Sequence, residues 1–148
     1  MSKLSAFILA AGEGRRLRPA TLVRAKALLP FCGIPLLELI AFKLNLLPID
    51  NLIVNTCYQG DRVTEFCHRL EDKYSWNLLV SQESKLLNHG GGIRKGLQLS
   101  PDSEHILVHN VDIIADFNLS VLLDMHLQND AAATALLIPG KGPQSVSL

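Results

Sequence analysis

The sequence predicts a three-layer α/β fold, a mostly parallel sheet with helices on both faces. Apolar runs of strand length alternate with stretches of helical spacing from one end of the chain to the other. The strand runs are apolar throughout rather than on every second residue, as expected for strands buried on both faces of a parallel sheet. The chain has 148 residues, 48% apolar and 19% charged, which is enough for one domain with a real core.

Taken in order, Leu4 to Ala10 reads as a first buried strand. Pro35 suits the first turn of a helix running to about Leu47, with Leu36, Leu37, Ile40 and Leu44 on one face and Pro48 as its stop. Leu52 to Thr56 is a second strand. Asp61 to about Lys73 is a helix, with Val63, Phe66, Cys67 and Leu70 at helical spacing. Trp76 to Ser81 is a third strand, Gln82 to His89 a loop, and Gly90 to Leu99 a helix with Ile93 and Leu97 inward. Ile106 to His109 is a fourth strand, followed by the polar break Asn110 to Asp112. Leu119 to Gln128 is a helix capped by Asn118 or Ser120, and Ala131 to Ile138 a fifth strand. The domain is expected to span residues 1–138, with an irregular Gly-, Pro- and Ser-containing tail over 139–148.

Bulk properties exclude several classes. The formal net charge is zero, which argues against broad electrostatic binding to nucleic acid or an anionic membrane. The three cysteines are widely spaced and form no CxxC, so they are expected as reduced thiols in a cytoplasmic protein. The apolar run Ala6 to Ala11 behind Lys3 is too short for a signal peptide, and Gly12, Glu13 and two arginines follow within five residues. No stretch approaches the roughly 20 residues needed to cross a bilayer.

In such a sheet, ligands bind beyond the carboxyl ends of the strands. Here those ends are the loops 11–18, 82–90 and 110–112, and all three carry polar or glycine-rich chemistry. The first is the most informative. The strand ending at Leu9, Ala10 and Ala11 runs into Gly12-Glu13-Gly14, where glycines let backbone amides approach an anion. Arg15, Arg16, Arg18 and then Lys26 add positive charge, a combination suited to a polyphosphate. The dinucleotide version of this turn wants a carboxylate at the end of the second strand, but that strand ends Val54-Asn55-Thr56. The Walker version wants Gly-Lys-Ser/Thr, which is absent.

LAAGEGRRLRPAT followed by AKALLP resembles the opening motif of the sugar-phosphate nucleotidyltransferases, roughly LAAG-x-G-T-R-L/M-x-P-x-T and then P-K-x-L-x-P. Leu9, Ala10, Ala11, Gly12, Gly14, Arg16, Leu17, Pro19, Thr21, Lys26, Leu28 and Pro30 match, while Arg15 stands where threonine is usual and Ala25 where proline is usual. The resemblance implies a Rossmann-like fold of the nucleotide-diphospho-sugar transferase type. It also implies attack of a sugar 1-phosphate on the α-phosphorus of a nucleoside triphosphate, with Arg16 and Lys26 offsetting phosphate charge. SQESKLLNHGGGIRKGL, Ser81 to Leu97, resembles the family's base-and-ribose loop, closest to that of N-acetylmuramate 1-phosphate uridylyltransferase-like enzymes. Glu83 falls at the base-reading position, where a carboxylate favours the N3–H of uracil or thymine, and hence UTP or dTTP; guanine N1–H is also a donor. Gly90, Gly91 and Gly92 would let base and ribose lie against the chain. Asp112, after the fourth strand, falls where the family holds Mg²⁺, and Val111 replaces a glycine that leaves room for the ligand.

Family members usually continue well past this length, and their later part supplies sugar-binding residues and a second metal-binding aspartate. The chain is therefore expected to be a fragment, or a short form with altered activity. A nucleotide-binding or regulatory module without turnover is the alternative from another class. A phosphocholine cytidylyltransferase-like enzyme shares the first motif, and Glu83 argues mildly against it.

Overall fold

The centre of the fold is set by β1 (Leu4–Leu9), whose Ala6, Phe7 and Ile8 have no exposed surface. Successive side chains of a strand point to opposite faces, so burial of all three means that both faces of β1 are covered. The structure is a computed structural model and describes residues 3–129 and 131–137. These residues divide into two compact units, one ending at Ala115 and the other beginning at Asp116.

In the first unit, β1 is followed by a short helix α1 (Ala20–Val23), a two-residue hairpin of β2 (Pro30–Phe31) and β3 (Ile34–Pro35), and α2 (Leu36–Leu44). Then come β4 (Asn51–Thr56), α3 (Gly60–Tyr74), β5 (Leu78–Gln82), α4 (Asn88–Gly96) and β6 (His105–Asn110). The main sheet has the order β5-β4-β1-β6, and every neighbouring pair in it is parallel. This is the mostly parallel, helix-covered sheet that the sequence predicts. Among the described residues no helix is long and apolar enough to cross a membrane.

α4 packs closely because its last residue is a glycine. A Cβ on Gly96 would overlap the ring of Phe7 and sit 3.2 Å from Ile53 Cγ2. α3 buries Val63, Cys67 and Leu70, the stripe expected of it apart from Phe66, which is only half-buried. Burial pushes the Cys67 thiol up to about 12, so it is an inert core thiol.

Several details differ from expectation. The segment between Arg15 and Pro35 is not plain loop: it holds 3-10 turns at Arg15–Leu17 and Lys26–Leu28, α1 and the hairpin. α2 stops at Leu44 rather than near Leu47. Asn45 ends it, its Nδ2 donating to the Ala41 carbonyl at 2.9 Å, a side-chain bond that competes with a further helical turn. The fourth strand is not buried on both faces. β6 has one ladder neighbour among the described residues, and Ile106 and Val108, on one of its faces, are 36% and 42% exposed.

The second unit contains α5 (Leu119–Gln128). Its cap is Asn118, whose Oδ1 accepts from the Ser120 N–H at 3.0 Å. The strand expected over Ala131 to Ile138 is not found in its described part. Residues 131–137 are without strand structure, and Leu136 and Leu137 are 47% and 43% exposed. An apolar run becomes a strand only when a neighbour completes its ladder, and none does so among the described residues. Ile138 lies outside them, as does the tail over 139–148.

Candidate functional site

Because β1, β4, β5 and β6 run parallel, their carboxyl ends share one edge of the sheet. The loops after Leu9, Gln82 and Asn110 therefore meet there, as the sequence predicts. The order β5-β4-β1-β6 reverses direction at β1, so the crevice between the ends of β1 and β6 is the topological switch point where open α/β sheets take their ligands.

The glycine loop forms one wall. Gly14 has φ +64, a left-handed conformation that glycine alone adopts without strain, and a Cβ there would lie 2.9 Å from Thr21 Cγ2. Its carbonyl accepts from Thr21 Oγ1 and from the Leu17 N–H, each at 2.9 Å, which pins the loop. Gly14→Ala is expected to cost about 1–2 kcal/mol from the left-handed backbone alone, read as a lower midpoint in urea. The arginines divide. Arg15 and Arg18 both pair with Glu13, at 2.8 and 3.3 Å, and Arg15 holds the Glu13 carboxyl below its usual range. Arg16 is exposed and has no carboxylate partner among the described residues, so its charge is available to a ligand.

Lys26 crosses the crevice. Its stem packs on Gly14, its ammonium lies 3.9 Å from where a Cβ on Gly12 would be, and Nζ is 3.2 Å from Asp112 Oδ2. The lysine side chain is 15% exposed and the aspartate 32%, so the pair sits at the rim with its carboxylate facing water. Three residues from separate segments of the chain thus meet: Gly12 after β1, Lys26 in a 3-10 turn, and Asp112 after the neighbouring strand β6. Val111, expected to crowd a ligand, is fully buried with its N–H directed at the Leu9 carbonyl, so its side chain stays out of the crevice.

Glu83 lies at the same edge, 4% exposed. Its Oε1 accepts from Asn55 Nδ2 at 2.8 Å and its Oε2 from the Leu87 N–H at 2.8 Å. Asn55 Oδ1 in turn accepts from the Ala10 N–H at 2.7 Å. The glycine run that follows separates by role. Gly90 faces open space and is exposed in the first turn of α4, where orphan amides are free to meet a ligand, and Gly91 beside it is exposed as well. Gly92 is buried, and a Cβ on it would sit 2.7 Å from both Asn55 Nδ2 and Glu83 Oε1. Its missing side chain serves the packing of α4 rather than a ligand. Asn55 and Thr21 escaped the sequence reading as site residues, although Asn55 ends a strand on the functional edge and Thr21 belongs to the matched motif. Among the described residues no three His, Cys, Asp or Glu side chains cluster as a closed metal site.

Residues 5–145 match the nucleotidyl transferase family. The chain belongs to that family. Among curated relatives of this nucleotidyl transferase chain, a mannose-1-phosphate guanyltransferase of Hypocrea jecorina is 28% identical over 95% of the chain and 39% of its own length. A mannose-1-phosphate guanylyltransferase of Mycobacterium tuberculosis is 30% identical over 97% of the chain and 39% of its own length. The nucleotidyl transferase chain therefore spans about two fifths of these relatives. In fold it is similar to a UDP-glucose pyrophosphorylase solved with UDP-glucose, with a TM-score of 0.69 at 19% identity, covering 88% of this chain and 55% of that one.

Proposed function

We propose that this chain carries the nucleotide-binding site of an enzyme that transfers a nucleoside monophosphate from a nucleoside triphosphate to a sugar 1-phosphate. The observation that carries the reading is the meeting of the glycine loop, Lys26 and Asp112 at the switch point of the sheet. A phosphate oxygen of the sugar 1-phosphate attacks the α-phosphorus in line, the bond from that phosphorus to the β-phosphate bridging oxygen breaks, and pyrophosphate leaves. The reaction needs positioning and stabilisation of charge more than covalent chemistry. The amides around Ala11, Gly12, Glu13 and Gly14 cradle the phosphates, Arg16 neutralises the outer ones, and the Lys26 ammonium meets the charge that develops as the bond breaks. Leu9 and Ala10 position the loop, and Gly90 and Gly91 offer backbone against base and ribose.

Asp112 fits a divalent cation such as Mg²⁺. It is a carboxylate at a strand end, open to water, and such ions are commonly held by one or two carboxylates with substrate phosphates and waters completing the shell. When bound there, the cation supplies further neutralisation of phosphate charge. Asp112→Asn is expected to lower turnover of the full-length protein about 10²-fold or more. It also removes the dependence of triphosphate affinity on added Mg²⁺, which titration with and without the metal measures.

For the base, a carboxylate acceptor supports UTP and GTP alike, since uracil N3–H and guanine N1–H both donate. Both Glu83 oxygens already accept from protein donors, so the carboxylate does not separate UTP from GTP. The activity named for the relatives favours GTP with mannose 1-phosphate. Pyrophosphate release by the full-length protein from GTP and from UTP, across a panel of sugar 1-phosphates, tests the reading. Release with GTP and mannose 1-phosphate is expected. Nucleotide binding with no release from any pair would contradict the transferase reading and support a binding module.

A further inference from the structure

Resting on that reading of the site, we infer that Asn55 is a positioning residue, which sets the glycine loop and the α4 amides at a fixed separation through Glu83. One side-chain chain joins three of the strand ends that make the functional edge. It runs from the Ala10 N–H after β1 to Asn55 near the end of β4, on to Glu83 after β5, and back to the Leu87 N–H that precedes α4. The Glu83 N–H also donates to the Thr56 carbonyl at 2.7 Å, so the carboxylate is anchored at its own backbone.

The polarity of this chain is fixed at both ends. A backbone N–H only donates, so Ala10 requires the carbonyl oxygen of Asn55 and turns its NH₂ towards Glu83. Leu87 is also a donor. Glu83 must therefore accept at both oxygens, which a carboxylate does and a carboxamide does not. Gly92 belongs to the same device, because any side chain there would enter the space between Asn55 and Glu83. Ala10 leads into the phosphate cradle and Leu87 into the first turn of α4. Loosening the chain lets phosphate and base loops move apart, although neither Asn55 nor Glu83 need touch the nucleotide.

Three variants of the full-length protein test this. N55D places two carboxylate oxygens against each other. E83Q places its NH₂ against either the Asn55 NH₂ or the Leu87 N–H. The double variant N55D/E83Q reverses one bond only: the new carboxylate accepts from Ala10 and from the new amide, and the amide oxygen accepts from Leu87. Every donor then meets an acceptor again, at unchanged net charge. Calorimetric titration with GTP and with UTP, at a temperature where circular dichroism shows each variant folded, is expected to show about tenfold or greater loss in each single variant, the scale of one unsatisfied buried group. The double variant is expected to recover to within about threefold of the wild type. A merely structural role would lower melting temperatures without changing the affinity of the folded fraction.

Unchanged affinity in both single variants overturns the inference, as does a folded double variant that fails to recover, or a double variant that does not fold. A single variant that fails to fold, with a double variant that folds and binds, supports it. Absence of binding of either nucleotide to the wild-type chain overturns the functional reading instead, and the positioning role with it.

Discussion

Lys26→Met in the full-length protein is expected to lower turnover about 10²- to 10³-fold, the scale of losing one preorganised charge at a transition state. Methionine keeps most of the stem that packs on Gly14 and removes only the ammonium. The fold should therefore stand. Asp112 loses its partner, but its carboxylate is 32% exposed and remains hydrated. Stopped assays of pyrophosphate release report the loss, and a melting temperature within a few degrees of the wild type separates it from unfolding. The loss should appear in turnover more than in the Michaelis constant for the sugar phosphate, because Lys26 meets charge that develops on the nucleotide. A rate near that of the wild type would remove Lys26 from the mechanism.

Gly96→Ala is expected to be the most damaging single methyl group in the first unit. Gly96 is buried at the end of α4, and a Cβ there enters the ring of Phe7, itself without exposed surface and at the centre of β1. A flexible side-chain tip could turn aside, but a phenylalanine ring packed in a parallel sheet cannot. Overpacking of this kind costs about 1–3 kcal/mol or more, minus a gain of about 1 kcal/mol from replacing glycine with alanine in a helix. A clear fall in the denaturation midpoint is the expected result. Phe7→Leu in the Gly96→Ala background should recover part of it, since a smaller side chain vacates the overlap.

The functional edge was legible in the sequence because it rests on local signals. Continuous apolar runs announced parallel strands, and parallel strands place Gly12, Glu83 and Asp112 on one side whatever the details of packing. What the sequence hid depends on contacts between residues far apart in the chain. Asn55 read as the absence of a ribose carboxylate, when its amide is the link between Ala10 and Glu83. Gly92 read as one of three equivalent glycines, yet only its position relative to Asn55 and Glu83 separates it from Gly90. The run from Ala131 had the composition of a strand, but composition cannot supply a ladder neighbour. The turns between Arg15 and Pro35 escaped because segments of two to four residues have too little periodicity to show.

The proposed mechanism requires a nucleoside triphosphate at the switch point between the ends of β1 and β6. Hydrogen exchange of the backbone amides, with and without GTP or UTP in the presence of Mg²⁺, tests it most directly. Slowed exchange is expected in residues 10–18, 84–92 and 110–112, with reduced protection of the first of these segments in Lys26→Met. Protection elsewhere on the chain with these three segments unchanged, or no protection at saturating nucleotide, would contradict it.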